Sequence, residues 1–297
     1  MTSTATLRIG TRESRLALAQ ARIAAVAIAP FLGPADLVPI STRGDAISAS
    51  LPSGSWVVTD GQFTQELERA LVDGRVDLVV HSFKDLPTEP TDSLVIGAVL
   101  ERGDARDCLL TANGGTIEDL PFGARIGTSS PRRAAQLAAA RVDLIAIPIR
   151  GNVETRIARL DAGEYDALML AAAGLDRLGI DVPQHAFLPF DVVLPAPAQG
   201  ALAVQVRAND ASLRAALGPI DHRATRIGVE AERSLLRRIG GGCLAPLGAL
   251  GEVTGDTLRL RAAHETSEGA LLRAEASGNT DDATLIVDRV AERIATA

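Results

Sequence analysis

The residues of this 297-residue chain best suited to chemistry are arginines set just beyond short apolar runs. In TRESRLALAQ (11–20), Arg12 follows such a run, and Ser14 can cap the next helix, whose free N–H groups favour anions. In GTSSPRR (127–133), Ser130 is a natural N-cap and Pro131 fits the first helical position. Arg132 and Arg133 then crowd positive charge into a turn where the helix dipole opposes it, a conflict that an anionic ligand would remove. IRGNVETR (149–156) ends a strand at Arg150, offers Asn152 as a cap, and sets Arg156 at the border of the stripe Val153, Ile157 and Leu160. AAAGLDRLG (171–179) places Arg177 beyond another apolar run. A guanidinium pairs with a carboxylate through two parallel bonds, so the set reads as a grip for a multiply carboxylated small molecule. The plainer reading is a surface arginine beside an ordinary cap for Arg12, and a solvated surface pair for Arg132 and Arg133.

A fifth loop, HSFKDLP (81–87), follows VDLVV directly and would bring Ser82, Lys84 and Asp85 to the mouth of a crevice. Among so many cations an aspartate is held in its charged form. It could then stabilise a cationic intermediate and exchange protons, or it could simply organise the arginines. His81 reads as a structural hydrogen-bonding residue. Cys243 lies in GGGCLAP (240–246), where glycines allow a sharp turn toward another domain. A thiolate there would profit from nearby cations, although no Cys–His pair is present locally. Cys108, in ARDCLL, reads as a small hydrophobe in or beside a strand.

Short β-like runs alternating with longer amphipathic segments must position these loops, which is an α/β signature. Strands are expected at 6–10, 37–41 and 76–80, with helices at 14–29 and about 62–72. A second unit, from residue 103, has strands at 124–127, 144–149 and 166–171, and helices from Ser130 and over 153–162. RIGT occurs at 8–11 and 125–128, and DGRVDLVV (73–80) is echoed by AGEYDALML (162–170). Two related lobes with a binding crevice beyond their strand ends follow. Residues 43–61, rich in Gly, Ser and Asp, form a candidate flap. A Pro-rich joint precedes 196–220, which could return to the first lobe, and the remainder reads as a small α+β domain. The expected boundaries are 1–102 plus 198–220, 103–197, and 221–297.

The bulk composition narrows the function. Thirty-seven acidic and 30 basic side chains give a net charge of -7, so nothing global attracts nucleic acid or an anionic membrane. The start lacks a signal-peptide pattern, and no uncharged run reaches membrane-spanning length. Two cysteines fit a reducing, cytoplasmic compartment, and four scattered histidines give no metal-site spacing.

Together these residues resemble the porphobilinogen deaminase (hydroxymethylbilane synthase) family. The stretches that carry the resemblance are RIGTRESRLALAQ, TRGD, ELERAL, VDLVVHSFKDLPT, GTSSPRR, IRGNVETR, EYDALMLAAAGLDRLG, LPAPAQGALAVQ and AERSLLRRIGGGCLAPLG, in family order over most of residues 7–250. The resemblance implies three α/β domains, the first two like a two-lobed periplasmic binding protein and the third a small α+β domain. It implies a monomeric transferase that joins four porphobilinogens head to tail, with loss of ammonia, to give hydroxymethylbilane in haem biosynthesis. It also implies a dipyrromethane cofactor attached covalently to Cys243, and Asp85 as the catalytic residue. Cofactor contacts fall on Ser14, Lys84, Asp85, Ser130, Arg132, Arg133 and Arg150. Contacts with porphobilinogen and the growing chain fall on Arg12, Ser14, Gln20, Ser82, Lys84, Arg150, Arg156 and Arg177. No metal, nucleic acid or membrane is implied.

The sequence departs from the family pattern at WVVTDGQFTQELE (56–68), where Asp60 and Gln65 stand at positions commonly held by lysine. A weaker flap contribution to cofactor or chain binding is expected, with the arginines of the two lobes compensating. An Asp60→Lys variant with an unchanged Michaelis constant and elongation-intermediate distribution would count against it. Two other readings of the arginines and lobes are a non-catalytic anion-binding protein, which has no use for GGC or the KD pair, and a small-molecule sensor, which would bring a DNA-binding unit.

Overall fold

The computed structural model describes residues 6–44, 63–89, 91–240 and 245–295. Most of the candidate flap, with Asp60, and Cys243 lie outside the described residues.

The first lobe starts with β1 (Leu7–Arg12), α1 (Arg15–Leu32) and β2 (Ala35–Ile40), followed by α2 (Gln65–Val72), β3 (Leu78–Ser82) and β4 (Leu94–Val99). Helix α1 begins where the Ser14 hydroxyl accepts the Ala17 N–H, and Ala17, Ala21, Ala24 and Ile28 form its buried stripe. Among the described residues α1 is the one helix long and apolar enough to cross a membrane, but this stripe packs into the core of the first lobe. The second lobe contains β5 (Asp107–Thr111), β6 (Arg125–Gly127), α3 (Pro131–Ala140), β7 (Ile145–Ile147), α4 (Val153–Asp161), β8 (Ala167–Ala171) and α5 (Ala172–Arg177). The chain then returns: β9 (Leu202–Arg207) inserts between β3 and β4, antiparallel to both.

The two sheets have orders β2-β1-β3-β9-β4 and β5-β8-β6-β7. In each, a parallel triplet (β2-β1-β3, β7-β6-β8) is followed by an antiparallel strand from across the hinge, β9 or β5. The sequence echoes mark equivalent positions. The Arg8 N–H and Nε both donate to Asp77 Oδ2, and its Nη2 donates to Gly74 O; Arg125 does the same with Asp166 and Gly163.

After α6 (Ala211–Leu217), the third unit is α7 (Arg223–Arg238), the meander β10 (Leu247–Thr254), β11 (Thr257–Glu265) and β12 (Leu271–Asn279), and α8 (Ala283–Ala295). Its core packs both helices on one sheet face through Leu235, Leu247, Leu260, Ile286 and Val290. Helix α7 meets β10 backbone to backbone: a Cβ added at Gly228 would lie 2.5 Å from Gly251 O, so only glycine allows the approach. That closeness lets Glu232, on the same helix, accept the Gly251 N–H at 2.7 Å.

Candidate active site

Between the lobes lies a cleft of about 310 Å³. Its walls carry Arg12, Ser14, Gln20, Ser82, Lys84 and Asp85 from the first lobe, Arg133, Arg156 and Arg177 from the second, and residues 199–201 from the returning segment. Arg12 and Ser82 are the last residues of β1 and β3, and Arg177 closes the helix after β8. The site therefore stands beyond carboxyl ends of strands, where a doubly wound sheet opens.

Lys84 and Asp85 sit on a single 3-10 turn, Phe83–Asp85. The turn is anchored on both sides by Phe83 and Leu86, which are 3% and 4% exposed, and by the Phe83 N–H donating to Ala201 O at 3.0 Å. Ser82 and Gln20 exchange hydrogen bonds at 2.8 and 3.1 Å, which fixes both at the cleft wall. The Arg12 guanidinium lies 4.0 Å above the Phe63 ring.

The cations are only partly neutralised. Arg156 Nε donates to Gly151 O and Arg177 Nη2 to Gly200 O, both backbone carbonyls, which position a guanidinium without cancelling its charge. Burial pushes both groups down to about 10, with Arg133, Arg150 and Arg159 adding to the effect at Arg156 and Asp176 opposing it at Arg177. Burial also pushes the Lys84 ammonium down to about 8, against the pull of Asp85 and Asp107.

Arg132 and Arg133 behave differently from the expectation that a ligand would relieve their conflict with the helix dipole. The chain supplies the counter-ion itself. Fully buried Asp107 accepts from Arg132 Nη1 at 2.7 Å and from Arg133 Nη2 at 2.6 Å. Burial alone would raise the Asp107 carboxyl, but the two guanidiniums hold it well below the usual carboxylate range. Arg133 still lines the cleft. Arg132 does not: it is 3% exposed and also donates to Leu194 O, so it stands beneath the site. Ser130 caps α3 through the Arg133 N–H and is likewise absent from the wall. Arg150, also off the wall, lies near Arg156.

His81 is buried, donates from Nε2 to Gln205 Oε1 at 3.0 Å, and is pushed down to about 4 by burial, which leaves it neutral and structural. Cys108 is fully buried in β5, and burial pushes its thiol up to about 12. Among the described residues no group of three His, Cys, Asp or Glu is disposed to hold a metal ion. Asp107, Gln199 and Glu232, three buried polar residues around the hinge, were not among the residues expected from the sequence.

Two family models match the chain. "Porphobilinogen deaminase, dipyromethane cofactor binding domain" covers residues 7–215, and "Porphobilinogen deaminase, C-terminal domain" covers 226–296. A porphobilinogen deaminase of Xanthomonas oryzae pv. oryzae is 46% identical over 97% of this chain and 95% of its own. That of Roseiflexus sp. is 45% identical over 93% and 91%. Porphobilinogen deaminase 1 of Streptomyces coelicolor is 46% identical over 90% and 86%. Among solved structures, an arginine transport system periplasmic binding protein from Legionella pneumophila aligns at a TM-score of 0.40 and 15% identity, covering 72% of this chain and 91% of that one.

Proposed function

This chain belongs to the porphobilinogen deaminase family, and from that premise we propose how its cleft performs the family's reaction. The enzyme condenses porphobilinogen head to tail into hydroxymethylbilane, with a dipyrromethane cofactor. At each coupling the aminomethyl C–N bond breaks, ammonia leaves, a C–C bond forms, and the α-carbon loses its proton.

The donor set fits such a ligand. Each porphobilinogen unit brings an acetate and a propionate, so a growing chain is a polyanion. Arg156 and Arg177 face the cleft with hydrogen bonds only to carbonyls among the described residues. We assign Arg12, Lys84, Arg133, Arg156 and Arg177 to the carboxylates of the cofactor, substrate and growing chain, with Ser14, Gln20 and Ser82 as polar wall contacts. Arg132 and Ser130 act beneath them, by setting Asp107 and the start of α3, and Arg150 by its charge beside Arg156. Cys243 is the proposed point of covalent attachment. When bound, the dipyrromethane supplies the free pyrrole carbon to which the first unit is joined.

Asp85 is the proposed catalytic residue. Its carboxylate can accept the pyrrole N–H and stabilise the positive charge that develops on the ring as the amine departs. It is also placed to take the proton released when aromaticity returns. The carrying observation is the turn that presents Lys84 and Asp85 together to a cleft whose other charged lining residues are Arg12, Arg133, Arg156 and Arg177 with the single further carboxylate Glu154. Asp85→Asn should lower kcat by roughly 10²–10⁴ while substrate still binds; a variant that keeps kcat and loses only binding would contradict the assignment.

We further read the chain as three units with the boundaries expected above. The sheet memberships of β5 and β9 support the double crossover. A cytoplasmic monomer is the proposed working state, supported by the family resemblance and by the buried free thiol of Cys108.

A further inference from the structure

Three consecutive residues of the returning segment tie all three units to the cleft. The Ala198 N–H donates to Glu232 Oε2 of the third unit at 2.6 Å, and Ala198 holds a φ of 63°, in the left-handed region. The Gly200 carbonyl accepts from cleft-lining Arg177 at 2.5 Å. Gln199 between them is fully buried. Its Nε2 donates to Ala105 O at 2.8 Å, Arg106 O at 3.3 Å and Asp107 Oδ1 at 2.9 Å, all at the start of β5 or in the segment leading into it. Three acceptors on the amide nitrogen leave its oxygen one orientation: Oε1 accepts from Lys84 Nζ at 3.2 Å.

We propose that Gln199 is a positioning residue that aims the Lys84 ammonium beside Asp85 and couples it to the crossover strand carrying Asp107. The inference rests on the reading of Asp85 as the catalytic carboxylate. A buried amide whose nitrogen is satisfied in one lobe and whose oxygen is satisfied in the other is a rigid link across the hinge. Any rotation of the lobes that shifts 105–107 against β3 moves the acceptor of Lys84 with it. The charged groups around Lys84 are Asp85 on its own turn, Asp107 on β5 and Arg132 and Arg133 on α3, and the same cleft is lined by Arg12 of the first lobe and by Glu154, Arg156 and Arg177 of the second. In this mostly cationic surrounding, an acceptor held at fixed distance favours the ammonium form.

The test uses holoenzyme with porphobilinogen as the probe, comparing Gln199→Met and Gln199→Glu by kcat/KM against pH. Gln199→Met keeps the volume and removes the acceptor. It should lower kcat/KM roughly tenfold and move the alkaline limb to lower pH, because the ammonium loses its support. Gln199→Glu restores an acceptor, now charged, and should move that limb to higher pH even if the variant melts earlier through its contact with Asp107. A purely structural role predicts lower stability with both limbs unmoved, and that outcome overturns the proposal. Asp85→Asn run in parallel separates the two readings. An active Asp85→Asn enzyme sinks the catalytic assignment, whereas an inactive one with unmoved Gln199 limbs sinks this inference alone.

Discussion

Glu232 and Arg102 meet in a buried two-pronged ion pair, with Nη1 at 2.6 Å and Nη2 at 3.1 Å from the two carboxylate oxygens. The carboxylate is fully buried and also accepts the N–H groups of Ala198 and Gly251. One side chain of α7 thus gathers both crossover segments and β10. Removing the carboxylate strips Arg102, whose side chain is 13% exposed, of its ion partner and leaves it donating to Gln199 O, a loss of about 3–5 kcal/mol. Glu232→Gln should therefore lower the denaturation midpoint strongly. A loss of less than about 1 kcal/mol by urea unfolding would show that the hinge does not depend on this charge.

Asp107 predicts an acid sensitivity. Its carboxyl is held below the usual range in the folded state, so its contribution is fully present above the unfolded value, roughly 4. It is lost as pH falls below that value toward the folded one. Wild type and Asp107→Asn should thus differ most near neutrality and converge in acid, as read from stability at a series of pH values. A gap independent of pH down to strongly acid conditions would contradict the assignment.

Among the described residues Arg156 and Arg177 donate hydrogen bonds only to backbone carbonyls, so each should show itself in substrate binding. Arg156→Met and Arg177→Met are expected to raise KM roughly ten- to hundredfold, the loss of one charge-assisted contact. Unchanged KM in both would remove them from the carboxylate grip.

Lys84, with its ammonium pushed down to about 8, predicts an alkaline limb. Below that pH the side chain is cationic and attracts carboxylates; above it the attraction fades, so KM should climb. Lys84→Arg keeps the charge and should flatten the rise. A rise that persists in Lys84→Arg would assign the limb to another group.

Much of the lobe architecture was legible in the sequence because it is written locally. The RIGT echo and the Asp of DGRVD and AGEYD form the same clasp in both lobes, Arg8 with Asp77 and Arg125 with Asp166. Caps at Ser14, Ser130 and Asn152 fell where the pattern placed them. Strand β4 was not assigned: LVIGAV shows no alternation, and its register shifts between Ile96 and Ala98. The hinge was illegible for a different reason. Gln199, Asp107 and Glu232 take partners 19 to 130 positions away, and no local period encodes such a contact. The same distance hid the counter-ion that keeps Arg132 out of the cleft wall.

The central claim is that this cation-lined cleft works on a pyrrole chain tethered to Cys243. Intact-protein mass spectrometry of the purified chain beside Cys243→Ala tests it most directly. The account predicts an added mass of two linked pyrrole units on the wild type, acquired on addition of porphobilinogen if initially missing, and none on the variant. A wild-type chain that never gains the adduct, or a Cys243→Ala chain that still carries it, would contradict the account.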